Sequence, residues 1–380
     1  MLKLLSLFSG IGAFEKALTN IGEPFEVVNY CEIDKYASKA YSLIHNLDEN
    51  MNLGDITTVD TKELPNDIDI ITYGFPCQDI STAGKMSGFV NDEGEITRSG
   101  LFFQAHRIIE DTQPKIAIAE NVKALTGKRF TAEFKIVLDS LSDAGYKNYW
   151  AALNAKNYGV PQNRERVFII SIREDIAHGF KFPEKYELKL RLKDLLEESV
   201  DEKYFLSDEV IESLIYHKKR NVEKGNGFGA KFMDENDISC ALTTSPTKSS
   251  GQYLKVKNAT KKGYIEGYEG DYINLQFPNS NTRRGRVINQ CSGTLQCNDG
   301  NGVIVKSLAI RKYTPKESFR LMGFDDSDVD ILVDNGISDN QLYKMAGNSI
   351  VVDVLEEIFV ELLNQYEDVF PYDETERVAI

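Results

Sequence analysis

Four side chains that could carry chemistry stand where predicted strands end or begin. Cys77 lies just past the β-branched run Ile70–Tyr73, where a turn can expose a nucleophilic thiol that a buried strand would hide. Glu120 ends the next apolar run, and Arg164 and Arg166 share one face of an extended segment, which suits an anion or a carboxylate. Open α/β sheets bind ligands at the carboxyl ends of their strands, so Cys77 and Glu120 could converge there. Alternatively, Cys77 is a small buried apolar residue, the usual fate of a lone cysteine.

Three further strand ends predict a pocket for an adenosine-type ligand. The strand Lys3–Phe8 runs into a glycine turn at Gly10 and Gly12, which opens a helix with free N–H groups. Glu32 follows Gly10 by 22 residues, near the ~20-residue spacing at which an acidic side chain reaches ribose hydroxyls. Asp55 is expected at the tip of a third short strand. The glycine turn could instead be purely structural, and Glu32 could be a surface carboxylate that caps the next helix.

The positions of strands and helices predict the fold class. Strand and helix patterns alternate over residues 1–175, which indicates an α/β protein with a doubly wound, mostly parallel, Rossmann-like sheet. We expect a catalytic domain over residues 1–180, a smaller irregular domain over 181–310, and a return to the catalytic domain over 311–380.

Local signals predict several further elements in the second half of the chain. Residues 185–224 are charged and predicted to be helical, and a capping box at Thr314 and Glu317 predicts a helix start. The segment Met345–Val352 is expected to open an apolar helix that runs to Leu363, with Gly347–Ser349 lying before that helix. The segment Gly347–Ser349 would then offer N–H groups to an anion.

Composition excludes several classes of protein. The chain has 380 residues, 42% of them hydrophobic and 27% charged, which is typical of a globular enzyme of about two domains. Its five cysteines form no CxxC pair, which argues for a reducing compartment and against a disulfide framework or a metal site. No run of 18 apolar residues exists, so we expect no membrane span and a cytoplasmic protein.

The charge is unevenly distributed along the chain. The net charge of −15 disfavours a polyanionic partner at first sight. Residues 216–306, however, hold 14 Lys and Arg against 8 Asp and Glu, whereas residues 317–380 hold 3 against 16. Because a docked polyanion responds to the local field, the basic middle is compatible with a nucleic-acid partner.

Taken together, these motifs resemble the C5-cytosine DNA methyltransferase family. The matching segments occur in the family's order from Phe8 to about Val354, and they are Phe8–Gly12, Glu32–Asp34, Gly54–Ile56, Phe75–Gln78, Glu120–Val122, Gln162–Arg166, Arg311–Phe324 and Gly347–Ser349. One departure is Ala13, where most relatives carry a second consecutive glycine; an added methyl group is expected to have little effect.

The resemblance implies a role for each candidate residue. Cys77 is the implied nucleophile at C6 of cytosine, Glu120 contacts N3 and N4 of the base, and Arg166, with Arg164, holds its O2 atom. The implied methyl donor is S-adenosylmethionine, and no metal takes part. The residues implied to bind this cofactor are Phe8, Gly10, Gly12, Glu32, Ile33, Asp55, Ile56, Leu101, Asn348 and Ser349. Those implied to contact DNA are Ser81, Arg283, Arg284, Arg286 and Thr294.

The implied partner is double-stranded DNA, from which the target cytosine must be flipped out. A loop over residues 82–100 would close over the base, and residues 181–310 would form the target recognition domain of a monomeric enzyme. A cognate restriction endonuclease in the same cell is a further implied partner. Three alternatives stay open: a tRNA cytosine methyltransferase, a non-catalytic DNA-binding relative, and a nicotinamide oxidoreductase. The last lacks its glycine fingerprint, because Glu15 occupies the third glycine position.

Overall fold

The computed structural model of the chain describes residues 1–76, 89, 97, 99–204, 206–225, 231–233, 236–242, 252–254, 272–274, 287–288, 301–303 and 311–370. Six residues of the predicted site lie outside this set: Cys77, Ser81, Arg283, Arg284, Arg286 and Thr294. Most of the predicted closing loop over residues 82–100 lies outside it as well.

Strands and helices alternate through the first half of the described chain. The strands are β1 (Leu2–Leu7), β2 (Phe25–Cys31), β3 (Ile70–Tyr73), β4 (Ile116–Val122), β5 (Tyr146–Asn154), β6 (Gln162–Asn163), β7 (Glu165–Arg173), β8 (Lys231–Met233), β9 (Ser239–Cys240), β10 (Gln252–Leu254), β11 (Tyr272–Asn274), β12 (Val287–Ile288) and β13 (Asn301–Val303). The α-helices are α1 (Ala13–Asn20), α2 (Lys35–His45), α3 (Phe102–Thr112), α4 (Thr131–Asp143), α5 (Asp208–Glu223), α6 (Pro315–Arg320), α7 (Asp326–Asp334), α8 (Asp339–Asn348) and α9 (Val352–Gln365).

Six strands form one sheet in the order β2-β1-β3-β4-β7-β5. The first four strands are parallel to one another, whereas β7 is antiparallel to both of its neighbours, β4 and β5. The sheet is therefore mixed but mostly parallel, which confirms the predicted fold class. The central strand β3 is buried along its whole length, as expected for a strand covered on both faces.

Apolar helix faces cover the sheet. Phe14 of α1 packs edge-on against Phe359 of α9, with ring centroids 6.3 Å apart. On α3, the buried residues Phe102, Ala105 and Ile109 recur at helical spacing and join the core beside β3 and β4. No helix in the described ranges combines the length and the apolar character needed to cross a bilayer.

The chain divides into two compact units. The first consists of Met1–Leu190, Cys240–Thr244 and Ser318–Ile380, and the second of Arg191–Ser239 and Ser245–Glu317. The six-stranded sheet belongs to the first unit. Among the described residues of the charged region predicted to be helical, α5 is the one long helix, and it belongs to the second unit. A target-recognition role for this unit stays a prediction.

The predicted capping box is present at the end of the second unit. The main-chain N–H of Thr314 donates to Oε2 of Glu317 at 2.9 Å, and the N–H of Glu317 donates to Oγ1 of Thr314 at 3.2 Å. Arg311 pairs with the same buried carboxylate at 2.7 Å, so a charge removed from water has its counter-ion in place.

The third strand predicted before Asp55 was wrong. Residues Ile56–Thr58 form a single 3₁₀ turn, and Asp55 caps it by accepting from the N–H of Thr57 at 2.9 Å. The physical reason is local, because aspartate and asparagine side chains bond to the nearby main chain and thereby favour turns over strand pairing.

The predicted apolar helix that runs to Leu363 is α9, and a short extended break separates it from α8. Helix α8 ends at Asn348, Ser349 and Val351 are extended, and α9 begins at Val352. Gly347 and Asn348 therefore lie in the last turn of a helix, where unpaired carbonyl oxygens, not N–H groups, point outward. The N–H of Ser349 donates to the carbonyl oxygen of Met345 at 2.9 Å, and anion binding at Gly347–Ser349 stays a prediction.

Candidate active site

The turn after β1 adopts a left-handed backbone at three positions. The φ angles are 53° at Phe8, 58° at Gly10 and 78° at Gly12, and the N–H of Gly12 donates to the carbonyl oxygen of Ser9 at 3.0 Å. Such a φ angle is uncommon for a residue with a side chain, so Phe8 is locally strained. Gly12 also has a steric reason to be glycine, because a Cβ atom there would lie 2.0 Å from Nε2 of His45.

Glu32, at the end of β2, is joined to this turn. Its carboxylate accepts from the N–H of Gly10 at 2.9 Å and from the N–H of Asp34 at 2.7 Å. Burial raises the pKa of Glu32, and these two hydrogen bonds oppose the rise. The structure therefore brings together two of the predicted cofactor residues, Gly10 and Glu32, whereas the neighbouring Ile33 is 75% exposed.

Asp55 lies in the loop that follows α2. Its Oδ1 atom accepts from the N–H and the Oγ1 hydroxyl of Thr57, at 2.9 and 2.8 Å, and these bonds lower the pKa of the Asp55 carboxyl group. Of two apolar residues predicted to touch the cofactor, Ile56 is buried and Leu101 packs against the central cluster, and their contact with a cofactor stays a prediction.

Glu120 and Arg166 form an ion pair at the edge of the sheet. Nε of Arg166 lies 3.0 Å from Oε1 of Glu120, and the two side chains are 20% and 12% exposed. In the β4–β7 ladder Glu120 stands opposite Phe168 and Arg166 stands opposite Val122, so the pair is diagonal on one face. Burial raises the pKa of Glu120, and the nearby positive charges of Arg166 and Arg164 oppose that rise.

Asn121 connects the tip of β4 to the segment that leads to Cys77. Its Nδ2 donates to the carbonyl oxygen of Phe75 at 3.0 Å, two residues before Cys77 in the chain, and its side chain is buried. Sequence analysis did not single out this residue, although it adjoins Glu120. A buried amide beside a candidate acid would have been a usable signal.

Arg164 contacts different groups from Arg166. Its guanidinium donates to the carbonyl oxygens of Gly347 at 3.1 Å and Ser349 at 2.6 Å, and to that of Leu242 at 3.5 Å. Arg164 thus binds carbonyl groups at the end of α8. Sequence analysis predicted an anion or a carboxylate beside both arginines. The positive charges of both act on Glu120, but only Arg166 forms an ion pair with it.

One cavity joins the two groups of predicted residues. Its empty volume, the open mouth included, is about 410 Å³. It is lined by Leu7, Phe8, Ser9, Gly10, Ile11, Ala13, Phe14, Gly74, Glu120, Asn348, Ser349 and Ile350. The cavity therefore runs from the glycine turn at one end to the Glu120 carboxylate at the other.

Comparison with protein-family models identifies the family of this chain. The family model of the C-5 cytosine-specific DNA methylase matches residues 2–364. The chain belongs to this family. It is a DNA cytosine-5 methyltransferase, which confirms the resemblance stated from the motifs.

The methylase has full-length relatives in phages and bacteria. It is 36% identical to the orphan methyltransferase M.SPRI of Bacillus phage SPR over 96% of this chain and 98% of that protein. It is 33% identical to the type II methyltransferase M.HpaII of Haemophilus parainfluenzae over 96% of this chain and 90% of that protein. Among solved structures, the S. pombe Dnmt2 methyltransferase has the same fold, with a TM-score of 0.64 at 19% identity over 96% of this chain and 99% of that one.

Proposed function

We propose that this methylase transfers a methyl group from S-adenosylmethionine to C5 of a cytosine flipped out of a specific duplex DNA sequence. The observation that carries the proposal is a cavity lined both by the glycine turn and by Glu120, whose carboxylate is paired with Arg166. A methyl donor seated at the first end and a base seated at the second would meet inside it.

The residues at the glycine turn fit an adenosine-containing cofactor. A Cβ atom on Gly10 would meet nothing within 4 Å, so the turn leaves open space beside Phe8. The Glu32 carboxylate and the exposed Ile33 lie at the neighbouring strand end, where a ribose and an adenine ring could contact a polar and an apolar group. Asn348 and Ser349 line the same cavity. When bound, S-adenosylmethionine would supply an electrophilic methyl group on sulfur.

The roles of the remaining residues follow from the chemistry of cytosine. C5 is a poor nucleophile until the Cys77 thiolate adds to C6 and Glu120 donates a proton to N3, which makes the ring an enamine. After C5 has gained the methyl group, the C5 proton is lost to solvent, the thiolate is expelled as the C5–C6 double bond forms again, and the N3 proton returns to Glu120. Burial supports this role for Glu120, because a raised pKa keeps a carboxyl group protonated at higher pH. Arg166 would orient Glu120 and bind O2 of the base.

Access to C6 requires the base to leave the helix. We assign closure over the flipped base to residues 82–100, with Ser81 at the DNA, and sequence recognition to residues 181–310. Within this range the candidate DNA contacts are Arg283, Arg284, Arg286 and Thr294.

A trapping experiment tests the covalent step. Duplex DNA that contains 5-fluorocytosine should form a stable adduct with the wild-type protein in the presence of S-adenosylmethionine. Fluorine replaces the C5 proton that must be removed before the thiolate can be expelled, so the covalent bond to Cys77 persists. Cys77→Ser should bind the cofactor but form no adduct and transfer no labelled methyl group. Methyl transfer by Cys77→Ser at the wild-type rate would refute the mechanism. Labelling of tRNA in place of duplex DNA would favour the tRNA alternative, and cofactor-independent DNA binding without transfer would favour a non-catalytic relative.

A further inference from the structure

Asn52 lies between β2 and the loop that carries Asp55, and its side chain uses its whole hydrogen-bonding capacity. Its Nδ2 donates to the carbonyl oxygen of Glu32 and to Oγ of Ser38, each at 2.9 Å. Its Oδ1 accepts from the N–H of Glu32 at 3.0 Å and from the N–H of Gly54 at 2.9 Å. One amide therefore holds the main chain of Glu32 on both sides and joins it to Gly54.

These bonds connect three segments that carry candidate cofactor residues. The Glu32 carboxylate reaches forward to the N–H of Gly10 in the glycine turn. Gly54 directly precedes Asp55, whose own side chain is held in its capping turn. Asn52 thus fixes the main chain from which both carboxylates project. A side-chain amide whose two donor hydrogens and two acceptor sites are all hydrogen-bonded is fixed in one orientation, since rotating it would break these hydrogen bonds.

We propose that Asn52 is a positioning residue for the cofactor, which sets the separation of the Glu32 and Asp55 carboxylates and thereby the affinity for the adenosine half of S-adenosylmethionine. The inference rests on the proposed function, because it takes the adenosine half to bind between these two residues. Asn52 touches neither the Glu120–Arg166 pair nor the cavity lining among the contacts described for it, so its effect should fall on cofactor binding and not on the chemical step.

Two variants and one control separate positioning from general stability. Asn52→Ala removes all four bonds, whereas Asn52→Asp keeps the shape and the two accepted bonds but cannot donate to the Glu32 carbonyl oxygen. Asn29→Ala is the matched control, because Asn29 donates to the carbonyl oxygen of Met51 at 3.1 Å and so joins β2 to the same loop without contacting Glu32. Each protein is titrated calorimetrically with S-adenosylhomocysteine and with adenosine, and kcat, the KM for S-adenosylmethionine, duplex-DNA affinity and the thermal midpoint are measured.

For both Asn52 variants we expect the Kd of each ligand to rise at least about tenfold, the equivalent of ~1.4 kcal/mol or one to two net hydrogen bonds. The KM should rise in parallel, while kcat at saturating cofactor and DNA affinity stay within about twofold of wild type. Unchanged affinity in folded Asn52→Asp, or an equal loss in Asn29→Ala, would overturn the inference. If the wild-type protein bound neither ligand, the proposed cofactor itself would be refuted. If the wild-type protein bound both ligands and the Asn52 variants bound them equally well, only the positioning role of Asn52 would be refuted.

Discussion

Replacing Asp353 by asparagine should stabilise the protein, and chiefly at neutral to alkaline pH. Asp353 lies in the first turn of α9, where its carboxylate approaches the backbone of two left-handed glycines: a Cβ atom on Gly323 would lie 2.4 Å from Oδ2, and one on Gly159 would lie 3.5 Å from Oδ1. Burial, followed by the negative charges of Glu356 and Glu357, raises the pKa of Asp353 from 3.8 to about 7. The folded state therefore favours the protonated acid.

The size and sign of the effect follow from this shift. A carboxyl group whose pKa is raised by folding contributes its full stability below the unfolded pKa, and this contribution is lost as the pH rises through the folded pKa. At ~1.4 kcal/mol per pKa unit, the loss in wild type is ~1 kcal/mol at pH 4.5 and up to ~4 kcal/mol at pH 8.5. An asparagine side chain cannot ionise, so the Asp353→Asn variant should gain those amounts over wild type.

Urea unfolding followed by tryptophan fluorescence measures this gain, because Trp150 is the single tryptophan and lies on β5 of the first unit. Glu367→Gln is the control, since it removes one negative charge from an exposed position near the same helix. An equal gain for Asp353→Asn at pH 4.5 and 8.5 would show that ionisation of Asp353 is not responsible. A gain of similar size in Glu367→Gln at pH 8.5 would assign the effect to net charge.

Two further predictions concern the candidate site. Gly12→Ala should lower the thermal midpoint by more than Gly10→Ala does. Both glycines have a positive φ, but only the new Cβ atom at residue 12 would meet His45. Equal decreases in the two variants would show that the contact with His45 does not determine the loss of stability. Arg166→Gln should reduce the rate of methyl transfer by about 10²- to 10⁴-fold, since Glu120 loses its ion-pair partner and its orientation. Arg166→Lys should recover part of the rate. A wild-type rate for Arg166→Gln in single-turnover methyl transfer would contradict the role of Arg166 in orienting Glu120.

Much of the fold and of the site could be predicted because the decisive signals are local. A continuous apolar run such as Ile70–Tyr73 predicts a buried central strand wherever the chain later places it. Glu32 and Glu120 became candidates because each lies at the end of a predicted strand, and strand ends meet at one edge of a parallel sheet. The capping box at Thr314 depends on residues three apart and was equally accessible.

The hydrogen-bond partners of site residues could not be predicted in this way. Arg164 binds the carbonyl oxygens of Gly347 and Ser349, which are more than 180 residues away in the chain. Those oxygens are available because α8 ends at Asn348, and sequence analysis did not predict a helix that ends there. Asn52 was passed over for the same reason, since a polar residue in a loop of Asn, Asp and Gly has no distinguishing pattern until its four partners are known.

The antiparallel direction of β7 explains how Glu120 and Arg166 come to be neighbours. Glu120 lies near the end of β4, whereas Arg166 is the second residue of β7. In a parallel pair, the start of β7 would lie beside the start of β4, and Arg166 would be displaced from Glu120 by several residues at ~3.3 Å each. Because β7 runs the other way, its beginning meets the end of β4, and Val122 stands opposite Arg166. The one reversed strand of this six-stranded sheet therefore places a cation at the edge where β1 to β4 present the glycine turn, the segment leading to Cys77, and Glu120.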